Sequence, residues 1–335
     1  LKTAVVVLNW NGQALLQQFL PTLVSYTPEE LADLYVIDNG SSDQSISWLA
    51  SNFPQVKLIA LSENNGFAGG YNQGLKHIEA DLYCLLNSDV AVTQDWLIPV
   101  LSHFKAHPDT AIAQPKILDY LNNHLFEYAG AAGGFIDALG FPYCRGRIFQ
   151  TIEQDLGQYD DDCPVFWATG ACFFIRSSVF HTLGGFDESY FAHQEEVDLC
   201  WRAQKHGFRV MALGGAHVYH LGGSTLSNMN PKKTFLNFRN SLYSLVKNHP
   251  PRRALFSVLA RLPLDGIAGF LFLFQGKPAH TQAVFWAHMS FYKHLPTVLM
   301  KRKDSGRYTL IFSHLSIVYS YFISRKKIFS QLRKD

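Results

Sequence analysis

The sequence predicts an α/β protein: a mostly parallel mixed sheet with flanking helices, followed by a helical, basic C-terminal region. Over the first 120 residues, short β-branched apolar runs alternate with longer stretches carrying apolar residues at helical spacing, the pattern of a parallel sheet covered on both faces. Each of the first four apolar runs is followed by a cluster of Asn, Asp, Ser and Gly. Charge divides the chain in the same way. Residues 1–230 carry 11 Lys and Arg against 24 Asp and Glu, a net −13, whereas residues 231–335 carry 18 against 3, a net +15.

Strands are expected at 3–8 (TAVVVL), 34–37 (LYVI), 56–61 (VKLIAL) and 82–86 (LYCLL), which are too short and too β-branched for helices. Helices are expected at 13–25, 45–52 and 70–78, where the apolar spacing is helical. Residues 121–165 read as loops and short strands passing over the site, with the acidic run 160–162 a solvated loop. A strand, a short helix, a Gly-Gly turn and a helix over about 194–205 follow. Residues 210–220 then read as a strand ending in HLGGS, completing one domain over 1–230.

From 231 to 335 the pattern is long and helical, with Lys and Arg among aromatics, a region suited to a membrane surface or a second subunit. The apolar stretch 253–275 is interrupted by Arg261, Pro263 and Asp265, which argues against a simple spanning helix. Residues 308–324 hold no formal charge over 17 positions and have basic flanks, the pattern of a helix lying in the membrane interface. Nucleic acid is a poorer partner, because the aromatics sit in apolar runs.

The 335 residues are 47% hydrophobic and 17% charged, too apolar for a disordered chain. The 24 glycines show no collagen period. Five cysteines, with no CxxC and no paired Cys/His spacing, indicate buried thiols in a reducing compartment. No basic segment leading into an apolar run opens the sequence, so secretion is not expected.

Ligands of parallel sheets bind at the carboxyl ends of the strands, where the polar clusters collect. Asp38, where a strand meets a turn, is placed to accept hydrogen bonds from a base or ribose. Asp89, beside Asn87, suits a hard divalent cation that also holds diphosphate oxygens, and His220 could complete its shell. Glu195, Glu196 and Asp198 crowd one first helical turn. Helix polarity favours acids there, but three in four residues exceed a cap's needs, and mutual repulsion would raise a pKa to suit a general base.

The strings VVVLNWNG, VIDNGSSD, NNGFAGGYNQGL, LLNSDV, ATGACFFIR, GGFDESYFAHQEEVDLCWRA and HLGGS, in this order, resemble family 2 glycosyltransferases of the GT-A fold. They are most similar to the rhamnosyltransferase-like branch that builds bacterial surface polysaccharides, and the resemblance runs over about residues 3–245, including KKTFLNFRN. It implies that Asp38 binds the nucleotide base, with Asn9, Asn11 and Asn39 lining the pocket. Asn64, Gly66 and the turn 69–72, with Gly70 and Asn72, would approach the donor. Trp167 and Gly170 would complete the donor-binding set. Asn87, Ser88 and Asp89 occupy the DXD position, and His220 that of a late metal-ligand histidine, which implies Mg or Mn. Glu195 and Glu196 match the family's acidic pair, whose second member is the catalytic base.

Two departures stand out. The metal motif reads NSD, leaving Asp89 its single carboxylate, and Glu196 replaces an Asp and is one methylene longer. The implied reaction is an in-line displacement that inverts the anomeric carbon, from a nucleoside diphosphate sugar to a glycan or polyprenyl-linked acceptor. The implied place is the cytoplasmic face of the cell membrane.

Other readings fit less well. A dinucleotide oxidoreductase needs GxGxxG after the first strand, where this chain has NWNG. A nucleotidyltransferase needs a basic Gly-rich loop near its start, and no Lys or Arg lies between Lys2 and Lys57. A non-catalytic membrane-associated carbohydrate or nucleotide binder would share the apolar basic region and stays open as the alternative, which a lack of stabilisation by any nucleotide sugar would favour.

Overall fold

The computed structural model describes residues 1–222, 230–302 and 314–332. Strands β1 (Thr3–Asn9), β2 (Asp33–Asn39), β3 (Lys57–Leu61) and β4 (Leu82–Asn87) lie parallel in the order β4-β1-β2-β3. Helices α1 (Gln13–Ser25), α2 (Ser45–Asn52) and α3 (Gly66–Gly74) connect them. The chain continues through β5 (Val90–Val92), α4 (Leu97–Ala106) and β6 (Thr110–Asp119). It then forms a small antiparallel sheet of β7 (Gly134–Ile136), β8 (Pro142–Cys144), β9 (Arg147–Ile148) and β10 (Thr151–Ile152).

After β11 (Cys163–Pro164), strand β12 (Cys172–Arg176) inserts antiparallel between β4 and β6 and makes the sheet mixed. Helices α5 (Ser177–Thr182) and α6 (Glu195–Lys205) lead to β13 (Arg209–His220), which lies parallel to β6. The large sheet runs β11-β13-β6-β12-β4-β1-β2-β3, with β5 beside β13. Alternation along the strands feeds two cores. Val6, Tyr71, Phe173 and Trp201 pack on one face, and Val5, Leu16, Trp96 and Phe174 on the other.

The helix expected at 70–78 starts earlier, at Gly66, and ends in a 3₁₀ turn at Leu75–His77. Its glycines hide the start from an apolar-spacing argument, yet they are what seats it. A Cβ on Gly70 would lie 2.8 Å from Leu8 Cδ1, and one on Gly74 would overlap the Ile37 side chain. The helix backbone therefore rests directly on β1 and β2.

Helices α7 (Pro231–Asn248), α8 (Pro251–Phe274) and α9 (Pro278–Met300) form the basic region. Helix α8 runs continuously past Arg261, Pro263 and Asp265, the residues that interrupt its apolar sequence. The two charges are buried inward. Arg261 donates to Asp265 at 2.9 Å and to Ser241 of α7 at 3.0 Å, while His288 of α9 meets the other Asp265 oxygen at 3.0 Å. Among the described residues, α8 is the helix long and apolar enough to cross a membrane, by length and composition alone.

The interfacial helix expected at 308–324 falls partly outside the described residues, which omit 308–313. Gly223 and Ser224 of HLGGS also lie outside them. The described remainder has one short helical turn, Tyr319–Ile323. That turn is tied to the small sheet: Ile317 N donates to Asp137 at 2.8 Å, and the Tyr321 and Thr151 hydroxyls pair at 2.8 Å.

The boundary expected at 230 separates residues that share a core, since Leu242, Tyr243 and Phe291 pack with Phe173, Phe186 and Trp201. The acidic run meets three different partners, Lys116 at Asp160, Arg145 at Asp161 and the imidazole of His103 at Asp162. The three side chains are exposed, as expected of a solvated loop, and each also meets a basic partner. All five cysteines are free thiols.

Gly74→Ala is expected to lift α3 off Ile37 and to cost about 1–3 kcal/mol, read as a lowered urea midpoint at unchanged slope.

Candidate active site

The ends of β1 and β2 place Asn9 beside Asp38 in register. Both are buried, and Asn9 Nδ2 donates to Asp38 Oδ2 at 2.9 Å. Asp38 Oδ1 accepts from Ser41 N at 2.8 Å, which curls the following loop back over the strand end. Asn9 Oδ1 is buried without a partner, an acceptor left over for a donor from a bound molecule. Asn11, at φ 49°, accepts through Oδ1 from Ser42 N at 2.7 Å and pins the two loops together.

Asn39 continues the rim. Its Nδ2 donates to Asn64 Oδ1 at 3.1 Å and to Gly66 O at 3.0 Å, and its Oδ1 accepts from Asn65 N at 3.1 Å. Gly66 sits at φ 68°, a left-handed position. A Cβ there would lie 2.9 Å from Phe191 O, and Phe67 N donates to that same carbonyl at 3.1 Å. The loop after β3 thus touches the turn that precedes α6.

At the end of β4, Asp89 is buried beside His220, the last residue of β13, with Oδ1 3.1 Å from Nε2. Asn87 Nδ2 lies 3.4 Å from the same nitrogen, and Ser88 stands next to them in the turn. Glu127, which the sequence reading did not single out, places Oε1 3.5 Å from His220 Nδ1. Its irregular surroundings gave no periodic signal. Burial opposes charging His220, but hydrogen bonds to Asp89 and Glu127 outweigh it and raise the imidazole to about 10.

These residues fit a divalent cation. Asp89 Oδ1 and His220 Nε2 stand 3.1 Å apart as a hydrogen-bonded pair, a carboxylate oxygen and an imidazole nitrogen of the kinds that would hold a divalent cation once the nitrogen gives up its proton. Among the described residues no group of three or more His, Cys, Asp or Glu side chains is placed to hold a metal ion, so Asp89 and His220 would supply two ligands and the rest would have to come from a bound diphosphate and water.

The turn before α6 adjoins the loop after β3. Phe191, His193 and Gln194 all have positive φ, at 64°, 67° and 73°, conformations that cost side-chain-bearing residues about 1–3 kcal/mol each. The turn delivers Glu195, which is buried, and Glu196, which is half-buried. His193 Nε2, Gln194 Oε1, Glu195 Oε2 and Glu196 Oε2 are all buried without partners. Burial raises Glu196 to about 7. Burial and the neighbouring Glu196 push Glu195 further above the carboxylate range. Burial, then Lys233, lowers His193 to about 4, so its imidazole is neutral. His193 and Gln194 precede the acidic pair directly, and adjacency was the sequence signal available for them.

Four expected residues do not join this cluster. Asp198 belongs to an ion network: Oδ2 accepts from Arg202 and Lys247 at 2.8 Å each, and Oδ1 from Asn248 at 2.8 Å. Its pKa stays low because, against burial, Lys247 and Arg202 favour the charge. With both oxygens engaged, it is a packing residue rather than a catalytic one. Asn72 is equally committed, donating to Phe186 O at 2.8 Å and accepting from Phe186 N at 2.9 Å. Trp167 spends its indole N–H on Phe135 O at 2.9 Å. Gly170 packs under Phe67, where a Cβ would approach to 3.1 Å.

Comparison with known proteins bears on this geometry. The model of Glycosyl transferase family 2 matches residues 4–184. The chain is 26% identical over 232 residues to N-acetylglucosaminyl-diphospho-decaprenol L-rhamnosyltransferase of Mycobacterium tuberculosis, covering 64% of this chain and 75% of the relative. In fold it is similar to S. aureus TarS 1-349, solved with UDP-GlcNAc, at a TM-score of 0.54 and 13% identity, over 92% of this chain and 93% of that one. It is also similar to GalNAc-T7, solved with UDP, GalNAc and Mn2+, at a TM-score of 0.58 and 15% identity, over 74% of this chain and 48% of that one. The architecture is the GT-A fold.

Glu195 and Glu196 keep their protons to higher pH in the native state than in the unfolded chain. The native state then binds more protons, and stability falls as pH rises from about 4.5 through about 7. Glu196→Gln removes part of that loss. It is expected to melt above the wild type at about pH 8 and to converge with it toward pH 4.5. Equal offsets at both pH values would contradict the assignment.

Proposed function

The chain belongs to glycosyl transferase family 2, and on that premise we propose an inverting transfer of rhamnose from thymidine diphosphate rhamnose to a hydroxyl of a polyprenyl-linked glycan. The protein is a glycosyltransferase. What supports the finer reading is a polar rim at the strand ends, from Asn9 and Asp38 to Asp89 and His220, whose β3 loop touches the turn that carries Glu195 and Glu196, two carboxyls each with an unpartnered oxygen. The mycobacterial relative's name supports the sugar and the lipid-linked acceptor.

In this reading Asp38 and the free oxygen of Asn9 accept hydrogen bonds from the base or ribose, which fixes the donor along the strand ends. Asp89 and His220 would hold a divalent cation, Mg or Mn, which would supply charge neutralisation on the diphosphate leaving group. Glu196, raised to about 7 by burial, is ionised in a good fraction of molecules near neutral pH. It takes the acceptor hydroxyl proton as the new oxygen–carbon bond forms at the anomeric carbon and the bond to diphosphate breaks on the opposite face. Glu195 stays protonated and can donate a hydrogen bond to a sugar or acceptor oxygen. Holding both reactants in line contributes most of the acceleration.

The acceptor would be met at the membrane. Leu255, Phe256, Leu259, Ile267, Phe270 and Phe274 of α8 are 56–85% exposed, and Phe285 and Trp286 of α9 are 57% and 59% exposed. A surface this apolar is rarely left in water. The basic excess of the same region matches an anionic bilayer, at about 1 kcal/mol per basic residue near it. The exposed apolar face and the basic excess support a peripheral protein of the cytoplasmic leaflet over a homodimer through the same helices.

Thermal shift and hydrolysis with thymidine diphosphate rhamnose, UDP-glucose, UDP-N-acetylglucosamine and GDP-mannose, in Mg or Mn, test the site. One donor should stabilise the protein, and Asp38→Ala or Asp89→Ala should abolish that shift. Glu196→Gln should keep the shift but lose about 100-fold or more in turnover. Near-normal turnover in that variant removes Glu196 as base.

Flotation with phosphatidylglycerol vesicles tests the surface. Binding should weaken with salt and be lost in the Phe270→Glu, Phe274→Glu double variant. Absence of binding at both low and high salt rejects the membrane proposal.

A further inference from the structure

We propose that Asn240 of α7 is a positioning residue for the transfer, holding the turn that aims Glu195 and Glu196 at the substrates. It is fully buried, and Nδ2 lies 3.1, 2.9 and 2.8 Å from the carbonyl oxygens of Tyr190, Ala192 and His193. The amide orientation is fixed from its other side, where Oδ1 accepts from Arg239 Nε at 2.9 Å. Arg239 Nη2 in turn donates to the carbonyls of Ser189 and Tyr190 at 3.2 Å each.

The physical need is specific. A turn with Phe191, His193 and Gln194 all in the left-handed region is strained and persists only where its surroundings over-determine it. Its carbonyls face into the protein, where each lost hydrogen bond is costly. A primary amide is compact and offers two N–H groups, and here it spans three carbonyls. A carboxylate of the same shape offers none, and an alanine leaves a cavity as well. Released from Asn240, the turn would relax toward ordinary backbone angles and swing the first turn of α6. A misplacement near 1 Å is enough to cost about 100-fold in rate.

Nothing in the segment matched by the family model supplies this contact, because α7 lies beyond residues 4–184. The inference rests on the reading of Glu196 as the base, so its test keeps the two apart. The full-length wild type, Asn240→Asp and Asn240→Ser are compared by hydrogen-exchange mass spectrometry and by hydrolysis of the same four nucleotide sugars. In Asn240→Asp, amides of 190–196 should exchange at least about 10-fold faster while those of β4 stay protected. The kcat should fall about 30-fold or more at unchanged donor KM.

Asn240→Ser keeps one donor and should lie between wild type and Asn240→Asp in both readouts, which preserves the test if Asn240→Asp does not fold. Unchanged exchange over 190–196 overturns the proposal. So does faster exchange with unaltered kcat, or a loss confined to donor KM. Failure of the base reading shows separately, as normal hydrolysis by Glu196→Gln.

Discussion

Lys247 holds both ends of the segment on which the site depends. Its ammonium lies 2.7 Å from Asp187 and 2.8 Å from Asp198, residues that bracket the turn carrying Glu195 and Glu196. Lys301 at the end of α9 meets the second Asp187 oxygen at 2.6 Å, and Arg202 shares Asp198. Burial works against both carboxylates, but Lys247 and its neighbours keep Asp187 and Asp198 ionised. Breaking such a pair from one side costs about 3–5 kcal/mol, since the remaining charge stays buried. The network's value is less in net stability than in permitting one arrangement of α6, α7 and α9.

That fixed frame lets the site be locally unfavourable. Three left-handed residues and four buried, unpartnered polar atoms fall within 191–196. An unsatisfied buried polar group costs about 1–3 kcal/mol, so this stretch would rearrange if its ends and carbonyls were free. The same poor solvation holds Glu196 near 7, where a carboxylate is a competent base. Backbone strain, unpartnered polar atoms and the raised pKa of Glu196 therefore coincide in one six-residue stretch.

The basic region serves two ends of the molecule. Part of its charge is spent inward: Lys247 and Lys301 on Asp187, Arg261 on Asp265, and Arg302 on the carbonyl of His249 at 2.7 Å. Its outer face carries the exposed aromatics of α8 and α9. One set of helices therefore carries both the contacts to the turn beside the acidic pair and an exposed apolar face.

Short-range pattern was enough to establish the strand and helix alternation, the polar rim at Asn9, Asp38 and Asp89, and the acidic pair. Strand periodicity is local, and a parallel sheet gathers its strand ends on one rim whatever the loops contain. What tertiary structure decided were choices between partners far apart in sequence. Asp198 looks like a third member of the acidic group, but it is drawn away by Lys247 and Asn248 of α7. Glu127 reaches His220 across the sheet with no periodic signal to announce it. Helix α3 begins at glycines whose use is visible only against Leu8, Asn39 and Ile37. An ion pair or a close backbone approach depends on which elements meet, and that is settled when the sheet closes and α7 packs against the turn before α6.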